Sequence, residues 1–376
     1  MAGIYIHIPF CRQACYYCDF HFSTSKKSFQ PTIDSIKKEI ALRKNEISEP
    51  IETIYFGGGT PSLLSPLEVN KILKTIEKTY DCSSVKEITF EANPDDLTSE
   101  FLKELKTSTL INRLSIGIQT FNDQLLQKLN RAHNSQTAIQ AINNARNIGF
   151  DNINLDIIFG LPGQTLKMLR EDWETFSLFS PEHISAYWLT IEDKTPFGRW
   201  ENSGKTPSYD DTTPLIQWNW LKNKLSTEGI QQYEISNFSK KEKESIHNSN
   251  YWKGKPYLGI GPSAHSYNGK YRSWNISNNI KYLKAIQKNT LPSEQEELDR
   301  STLINESIMI QLRTMEGINL KRFNEEFGFD LYSINHKTID KYLSSKHITV
   351  CGNQLKITLK GQQFVDQIAS ELFIVE

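Results

Sequence analysis

A chain of 376 residues is long enough for two or three domains, or one large barrel with an appendage, and buries a core without disulfide staples. Its composition, 38% hydrophobic and 23% charged with 19 Gly and 14 Pro, excludes collagen-like, low-complexity and wholly disordered chains. The balance of 43 Lys+Arg against 44 Asp+Glu speaks against a protein that grips nucleic acid through bulk positive charge, and no stretch approaches the roughly 18 apolar residues of a membrane span.

The N-terminus reads as a first strand, Gly3–Ile8, with no basic region ahead of a long apolar segment and so no signal peptide. Five further β-branched runs follow: Thr53–Phe56, Glu87–Glu91, Arg113–Gln119, Asn152–Phe159 and His183–Leu189. Between them the 3.6-residue apolar period predicts helices near Ile33–Arg43, Pro66–Thr79, Ser99–Lys106, Asp123–Leu129, Gln136–Ile148 and Gln164–Leu178. About six βα units mean a parallel sheet with helices outside it. Six are too few for a complete eight-stranded barrel, so the expectation is an α/β partial (β/α)6 barrel over residues 1–200.

Residues 201–294 are expected to be an irregular connecting region. Trp200–Thr213 is rich in Pro, Gly, Ser, Thr and Asp, Trp218–Thr227 looks helical, and Gln231–Asn275 is dense in Tyr, Trp, Asn and Gly. Residues 295–376 read as a small C-terminal helical, winged-helix-like domain. Its expected parts are helices Ser301–Arg313, Leu320–Phe327 and Leu331–Ser344, a hairpin turning at Gly352-Asn353, and a last helix Gly361–Leu372.

The strongest chemical signal is Cys11-x3-Cys15-x2-Cys18, directly after the first strand. Three of five cysteines within eight residues make a poor disulfide framework and a good metal framework, which points to a reducing cytoplasm. Three thiolates can ligate three irons of a cubane cluster and leave the fourth iron open; a zinc knuckle would need a further ligand, with His7 or His21 near enough in sequence. Gly57-Gly58-Gly59-Thr60 ends the second strand, and successive glycines expose backbone to a ligand. Glu91, Gln119 and Asp156 recur where later strands end, and in parallel barrels those ends form the active-site face. Acids in otherwise apolar strands need partners, and ligand ammonium or hydroxyl groups are suitable ones.

The cysteine motif, the triple glycine, Glu91, Gln119, Arg131 and Asp156 together resemble the radical S-adenosylmethionine (SAM) superfamily. Ile4–Cys11, Asn130-Arg131-Ala132-His133, Asp156–Pro162, Tyr233–Phe238 and His247-Asn248-x-x-Tyr251-Trp252 narrow the resemblance to the coproporphyrinogen dehydrogenase-like group, and within it to the haem-chaperone branch. The resemblance implies a [4Fe–4S] cluster on Cys11, Cys15 and Cys18, whose fourth iron chelates the methionine part of SAM. It further implies that Gly57, Gly58, Gly59, Thr60 and Glu91 surround that part, that Gln119, Arg131 and Asp156 lie along the ligand, and that Tyr5 and Tyr17 flank the cluster. An electron from an unspecified donor would then cleave the sulfonium to methionine and a 5′-deoxyadenosyl radical. The branch implies haem as cargo and apo-haemoproteins as partners, respiratory enzymes at the membrane among them.

Two departures separate the chain from the dehydrogenases of the group: Phe20 stands where they carry a fourth motif cysteine, and only ten residues precede Cys11 where they carry an extension. Both favour the chaperone reading over coproporphyrinogen III dehydrogenation or a related radical methyl transfer. A third departure is Ser245, where the family often has a cysteine two residues before the histidine motif. His247 is a candidate haem ligand, weighed evenly against a purely structural role, whereas His133 and His265 are expected to be structural. The winged domain, lacking a basic recognition helix, is expected to dock on or cover the barrel and not to bind nucleic acid.

Overall fold

Apolar and polar residues alternate along each of the first six strands, so one face of every strand is greasy and the other is not. In the computed structural model, which describes residues 1–205 and 212–374, β1 (Ala2–Ile8), β2 (Ile51–Gly58), β3 (Glu87–Ala92), β4 (Arg113–Gln119), β5 (Ile153–Phe159) and β6 (His183–Trp188) pair in parallel in that spatial order. The unreversed order decides the architecture. A doubly wound sheet reverses its strand order and places helices on both faces, whereas consecutive right-handed crossovers place every helix on one face.

The helices on that face are α1 (Phe29–Leu42), α2 (Pro66–Thr79), α3 (Ser99–Ser108), α5 (Ser135–Ile148) and α6 (Leu166–Leu178), while the short α4 (Asp123–Lys128) packs in a separate cluster with Ile158, Leu161 and Tyr16. The start of α2 follows from Ser65 and Glu68, which form a reciprocal capping box ahead of Pro66; the end of α5 follows from Gly149, left-handed at φ 94°. Ile4, Ile6, Ile54, Phe56, Phe90 and Ile116 belong to one core with Ile36, Ile40, Ile72, Ile76 and Ile142 of the helices. Each such fully buried side chain contributes roughly 1.5–3 kcal/mol. The polar residues of the same strands fall on the opposite, inner face. This is a partial (β/α)6 barrel, and it stays open because β6 pairs onward with β8 (Asn237–Ser239) and β1 with β9 (Tyr257–Ile260).

The middle of the chain corrects the expectation of an irregular connector over 201–294. After α7 (Pro196–Asn202) and α8 (Thr212–Thr227), β7 (Gln231–Gln232) and β8 extend the sheet beyond β6. Helix α9 (Ile246–Trp252) then leads to the other edge, where β9 runs parallel to β1 and β10 (His265–Tyr267), β11 (Tyr271–Asn275) and β12 (Ser293–Glu297) continue antiparallel. These strands are two to five residues long, too short to show a period of two against their many aromatics. Residues 206–211 of the expected connection lie outside the described residues.

The buried carboxylate of Glu39 on α1 anchors this second edge. It accepts from the Gly261 N–H (2.8 Å), Asn275 Nδ2 (2.7 Å) and Tyr282 Oη (2.6 Å) and pairs with Arg43 (3.2 Å). Arg43 in turn donates to the Gly259 carbonyl at 2.7 Å. Four donors on one buried acid offset its desolvation and fix the β9–β10 connection against the barrel.

The C-terminal domain has its own core, including Ile308, Leu312, Phe323, Leu331, Leu355 and Ile368. Its boundary lies after β12, because that strand belongs to the main sheet and the domain's core begins on α11 (Arg300–Leu312), not at 295. The hairpin β14 (Ile348–Cys351) and β15 (Gln354–Ile357) forms as expected and takes β13 (Ile318–Asn319) as a third strand. The expected helix Leu331–Ser344 is two helices, α13 (Leu331–Ile334) and α14 (His336–Ser344), separated at Asn335. The domain docks through backbone: Ile235 N–H donates to the Arg313 carbonyl and Met315 N–H to the Tyr233 carbonyl, both at 3.0 Å. No helix among the described residues is long and apolar enough to cross a membrane.

Candidate cluster and cofactor site

β1 ends at Ile8, and the segment that follows is pinched into a loop. Cys11 N–H donates to the Ser23 carbonyl (3.1 Å) and Ser23 N–H to the Pro9 carbonyl (2.9 Å). Neighbouring strand ends hold the loop in place. Arg12 pairs with Asp96 at 2.6 Å, Asp96 accepts from Ser62 at 2.7 Å, and Asn130 Nδ2 donates to the Ala14 carbonyl at 2.7 Å. The loop therefore presents Cys11, Cys15 and Cys18 as three free, half-buried thiols above the barrel. Burial pushes the Cys11 thiol up to about 12 and the Cys18 thiol up to about 11, so metal must displace protons there to bind. Among the described residues no three His, Cys, Asp or Glu side chains close on a single ion. A cubane makes a different demand, since each thiolate takes its own iron.

Arg131 connects this loop to β4. Its Nη1 lies 3.4 Å from Cys15 Sγ and 3.5 Å from Tyr17 Oη, and its Nη2 donates to Asn93 Oδ1 and the Gly117 carbonyl, both at 2.8 Å. Gln119, at the end of β4, is buried at φ 71°, a left-handed conformation that a side-chain-bearing residue rarely adopts. Gln119 Oε1 and Arg131 Nε are both buried without a hydrogen-bond partner. Buried polar groups left without a protein partner at the strand ends below the cysteine loop are suited to a ligand's hydrogen bonds.

The glycine run acts differently from the expectation. Only Gly57 faces the inner surface, where a Cβ would meet Tyr5 and Tyr55 at 2.9 Å and Glu91 Oε1 at 3.1 Å. Gly58 has φ +102° against the His7 ring, and a Cβ on Gly59 would lie 2.6 Å from the Phe10 carbonyl oxygen. The last two glycines thus let β2 pass close to the cysteine loop, and both keep part of their backbone exposed there. Thr60, next in sequence, is buried and accepts from Asn93 Nδ2 at 3.3 Å.

Glu91 and Asp156 are half-buried on the inner face. Glu91 accepts from Tyr55 Oη at 2.7 Å, and Asp156 from Asn154 Nδ2 at 2.7 Å. Burial, with Asp156 nearby, raises Glu91 to about 7, and burial raises Asp156 to about 6. Several residues the sequence did not single out complete this surface: Tyr55, Asn93, Asn154 and Arg113. Arg113 is a fully buried cation with an unpartnered Nε whose charge favours the ionised forms of both carboxylates. Its position four residues before Gly117, on the inward parity of the strand, was the one available signal.

His247 is corrected as a haem ligand by its placement. It is buried beneath β2, with Nδ1 2.8 Å from Thr53 Oγ1, Nε2 2.8 Å from Tyr251 Oη, and its ring stacked on Tyr55 at 5.0 Å. Both ring nitrogens are engaged, and burial lowers its pKa to about 3, as expected of a core histidine. Ser245 caps α9 by accepting from Asn248 N–H, a role that a serine hydroxyl fills well. His133 is buried with Nε2 3.2 Å from the Ile118 carbonyl and Nδ1 without a partner among the described residues.

The donor set fits a thiolate-held cluster with a ligand that carries an ammonium, a carboxylate and hydroxyls. It offers three free thiols, two carboxylates, an unsatisfied amide oxygen and an unsatisfied guanidinium N–H on one connected surface. Comparisons with known proteins agree. Residues 5–175 match the radical SAM superfamily and residues 298–364 the HemN C-terminal domain. The chain is 38% identical over 335 residues to the heme chaperone HemW of Bacillus subtilis, covering 88% of each chain. It is 33% identical to that of Lactococcus lactis over 98% of this chain and 97% of the relative. Its fold superposes on coproporphyrinogen III oxidase HemN of Escherichia coli with a TM-score of 0.86 at 21% identity, over 99% of this chain and 90% of that one. The polar inner face, the cysteine loop above it, and relatives that match from one end of the chain to the other lead to one conclusion: the chain belongs to the HemW family of the radical SAM superfamily.

Proposed function

We propose that this protein is a haem chaperone of the cytoplasm that holds a [4Fe–4S] cluster on Cys11, Cys15 and Cys18, binds SAM on the barrel's inner face, and passes haem to apo-haemoproteins. The observation that carries the reading is the full-length match to relatives named heme chaperone, while the oxidase shares the fold at 21% identity. Phe20 supports it. It occupies the position of the dehydrogenases' fourth motif cysteine and is 71% exposed, facing a large cleft beside the cluster loop.

When bound, the cluster supplies the electron that cleaves the sulfonium of SAM. In this reading Thr60, Gly57 and Glu91 bound the methionine part, Gln119 and Arg131 satisfy their orphaned groups on the ligand, and Asp156 accepts from ribose hydroxyls. Tyr5 and Tyr17 wall the cluster side; Tyr17 does so through Arg131.

The deciding experiment supplies reconstituted protein with reductant, SAM and either haemin or coproporphyrinogen III. The expected result is a stable haem complex that transfers haem to an apo-haemoprotein, with no protoporphyrinogen IX formed. Robust turnover of coproporphyrinogen would replace this reading with the dehydrogenase one.

A pH dependence follows from the carboxylates. Glu91 and Asp156 ionise only as pH rises through about 7 and about 6, whereas the sulfonium of SAM has no proton to lose and stays charged throughout. SAM affinity should therefore rise between about pH 5 and about pH 7, as the two acids ionise. Calorimetric titration at several pH values tests this, and a flat profile would remove the two acids from the ligand's contacts.

A further inference from the structure

A cleft of about 1360 Å³ opens between the cysteine loop, the β9–β11 edge of the sheet, α9 and the C-terminal domain. Ligand pockets are usually about 300–1,000 Å³, so this one admits a macrocycle. Three histidines line it. His7 has both ring nitrogens engaged, with Tyr5 Oη at 3.3 Å and the His21 carbonyl at 2.9 Å, and His21 has one engaged with Asn279 Oδ1 at 2.8 Å. His265 differs from both. Its side chain is exposed to the cleft, and neither ring nitrogen has a hydrogen bond among the described residues.

The fold holds His265 rigidly. It opens β10, and a Cβ on Gly259 would lie 2.0 Å from its carbonyl oxygen, so β9 and β10 are locked together there. Glu39 fastens the intervening turn through the Gly261 N–H, and Ser266 points to the opposite face, where its hydroxyl accepts from the Gly259 N–H at 2.9 Å. By strand alternation His265 and Tyr267 share the cleft face. Tyr267 pairs across the ladder with Tyr257, whose ring lies 6.3 Å from its own and meets that of Tyr251 edge-on at 4.6 Å, giving a cluster of tilted aromatic rings beside the imidazole. Phe20 lines the cleft from the cysteine loop. At the rim, Lys253 and Arg322 have no ion pair among the described residues, whereas Arg272 is held by Glu306 at 2.6 Å.

From this geometry we propose that the cleft is the haem seat and that His265 is an axial ligand to the haem iron. The proposal rests on the haem-chaperone reading above. A free imidazole is the ordinary protein ligand for haem iron, aromatic rings cover the porphyrin face, and unpaired cations suit propionates. Acidic residues outnumber basic ones around the cleft, so the propionates point toward Lys253 and Arg322 and not inward.

The test is titration of the cluster-loaded full-length protein with haemin, read as Soret difference spectra against the same protein without haemin. Parallel titrations use iron-free protoporphyrin IX. His265→Ala should lower haemin affinity at least tenfold and shift the Soret maximum, with added imidazole restoring both, while protoporphyrin IX binding stays unchanged. His265→Tyr should retain haemin with a high-spin, phenolate-type spectrum. Unchanged haemin spectra and affinity in both variants would overturn the ligand assignment and leave the chaperone reading intact. Equal loss of protoporphyrin IX in His265→Ala would make the residue a wall and not a ligand. Failure of the unmodified protein to bind haemin would overturn the chaperone reading itself.

Discussion

Replacing Cys11, Cys15 or Cys18 by alanine should reduce bound iron from about four per chain to near zero, because each thiolate holds a different corner of a cubane and three-point ligation leaves none to spare. Cys82→Ala and Cys351→Ala should keep full iron. Cys82 follows α2 at the end of the barrel opposite the cysteine loop, beside Asp81, whose carbonyl accepts from the first residue of β2, and Cys351 lies exposed on the C-terminal hairpin. Iron and sulfide analysis after anaerobic reconstitution, with the absorbance near 400 nm as a second readout, checks the set. Retention of full iron in any of the three loop variants would remove that cysteine from the cluster. Folding is monitored separately, since the loop is also held by Arg12–Asp96 and Asn130–Ala14, which these substitutions leave in place.

Asp156→Ala and Glu91→Ala should each weaken SAM binding by roughly 10- to 100-fold, since a hydrogen bond to a charged group is worth about 1.5–3 kcal/mol. Cluster absorbance should not change, because neither acid touches a cysteine. The two variants should differ in stability. Glu91→Ala strands the Tyr55 hydroxyl that it now accepts at 2.7 Å, while Asp156→Ala releases an Asn154 amide that also donates to Ser115 at 2.8 Å. Thermal unfolding should show the greater loss for Glu91→Ala. Calorimetry showing unchanged SAM affinity in both would mean that the ligand lies elsewhere on the inner face.

Much of the barrel was legible because the alternating strands and the amphipathic helices between them carry separate periods. Arg113–Gln119 and Pro66–Thr79 coincide with β4 and α2. The cysteine loop, Glu91 and Asp156 were legible for a related reason. A thiol cluster after a strand, or an acid inside an apolar one, is costly unless it has a purpose.

What the sequence could not reveal was anything created by closure between distant segments. The stretch over 231–275 looked irregular because its strands are too short to show alternation, yet hydrogen bonding to β1 and β6 orders it as both edges of the sheet. Asn335 divided an expected helix without a Pro or Gly to mark the break. Gly58 and Gly59 are also where β2 passes His7 and the Phe10 carbonyl, a close approach that no local pattern shows.

The histidines show the division most clearly. Sequence alone determined that the chain has a (β/α)6 half, a three-cysteine loop and a family, because those depend on local pattern and residue type. The tertiary structure alone decided that His247, within a distinctive motif, is a buried core residue with both nitrogens engaged, and that His265, expected to be structural, faces an open cleft. Whether an imidazole is free to bind iron depends on what fills its two hydrogen-bonding positions, and here Thr53 and Tyr251 reach His247 across 194 and 4 residues of chain, while nothing reaches His265 among the described residues.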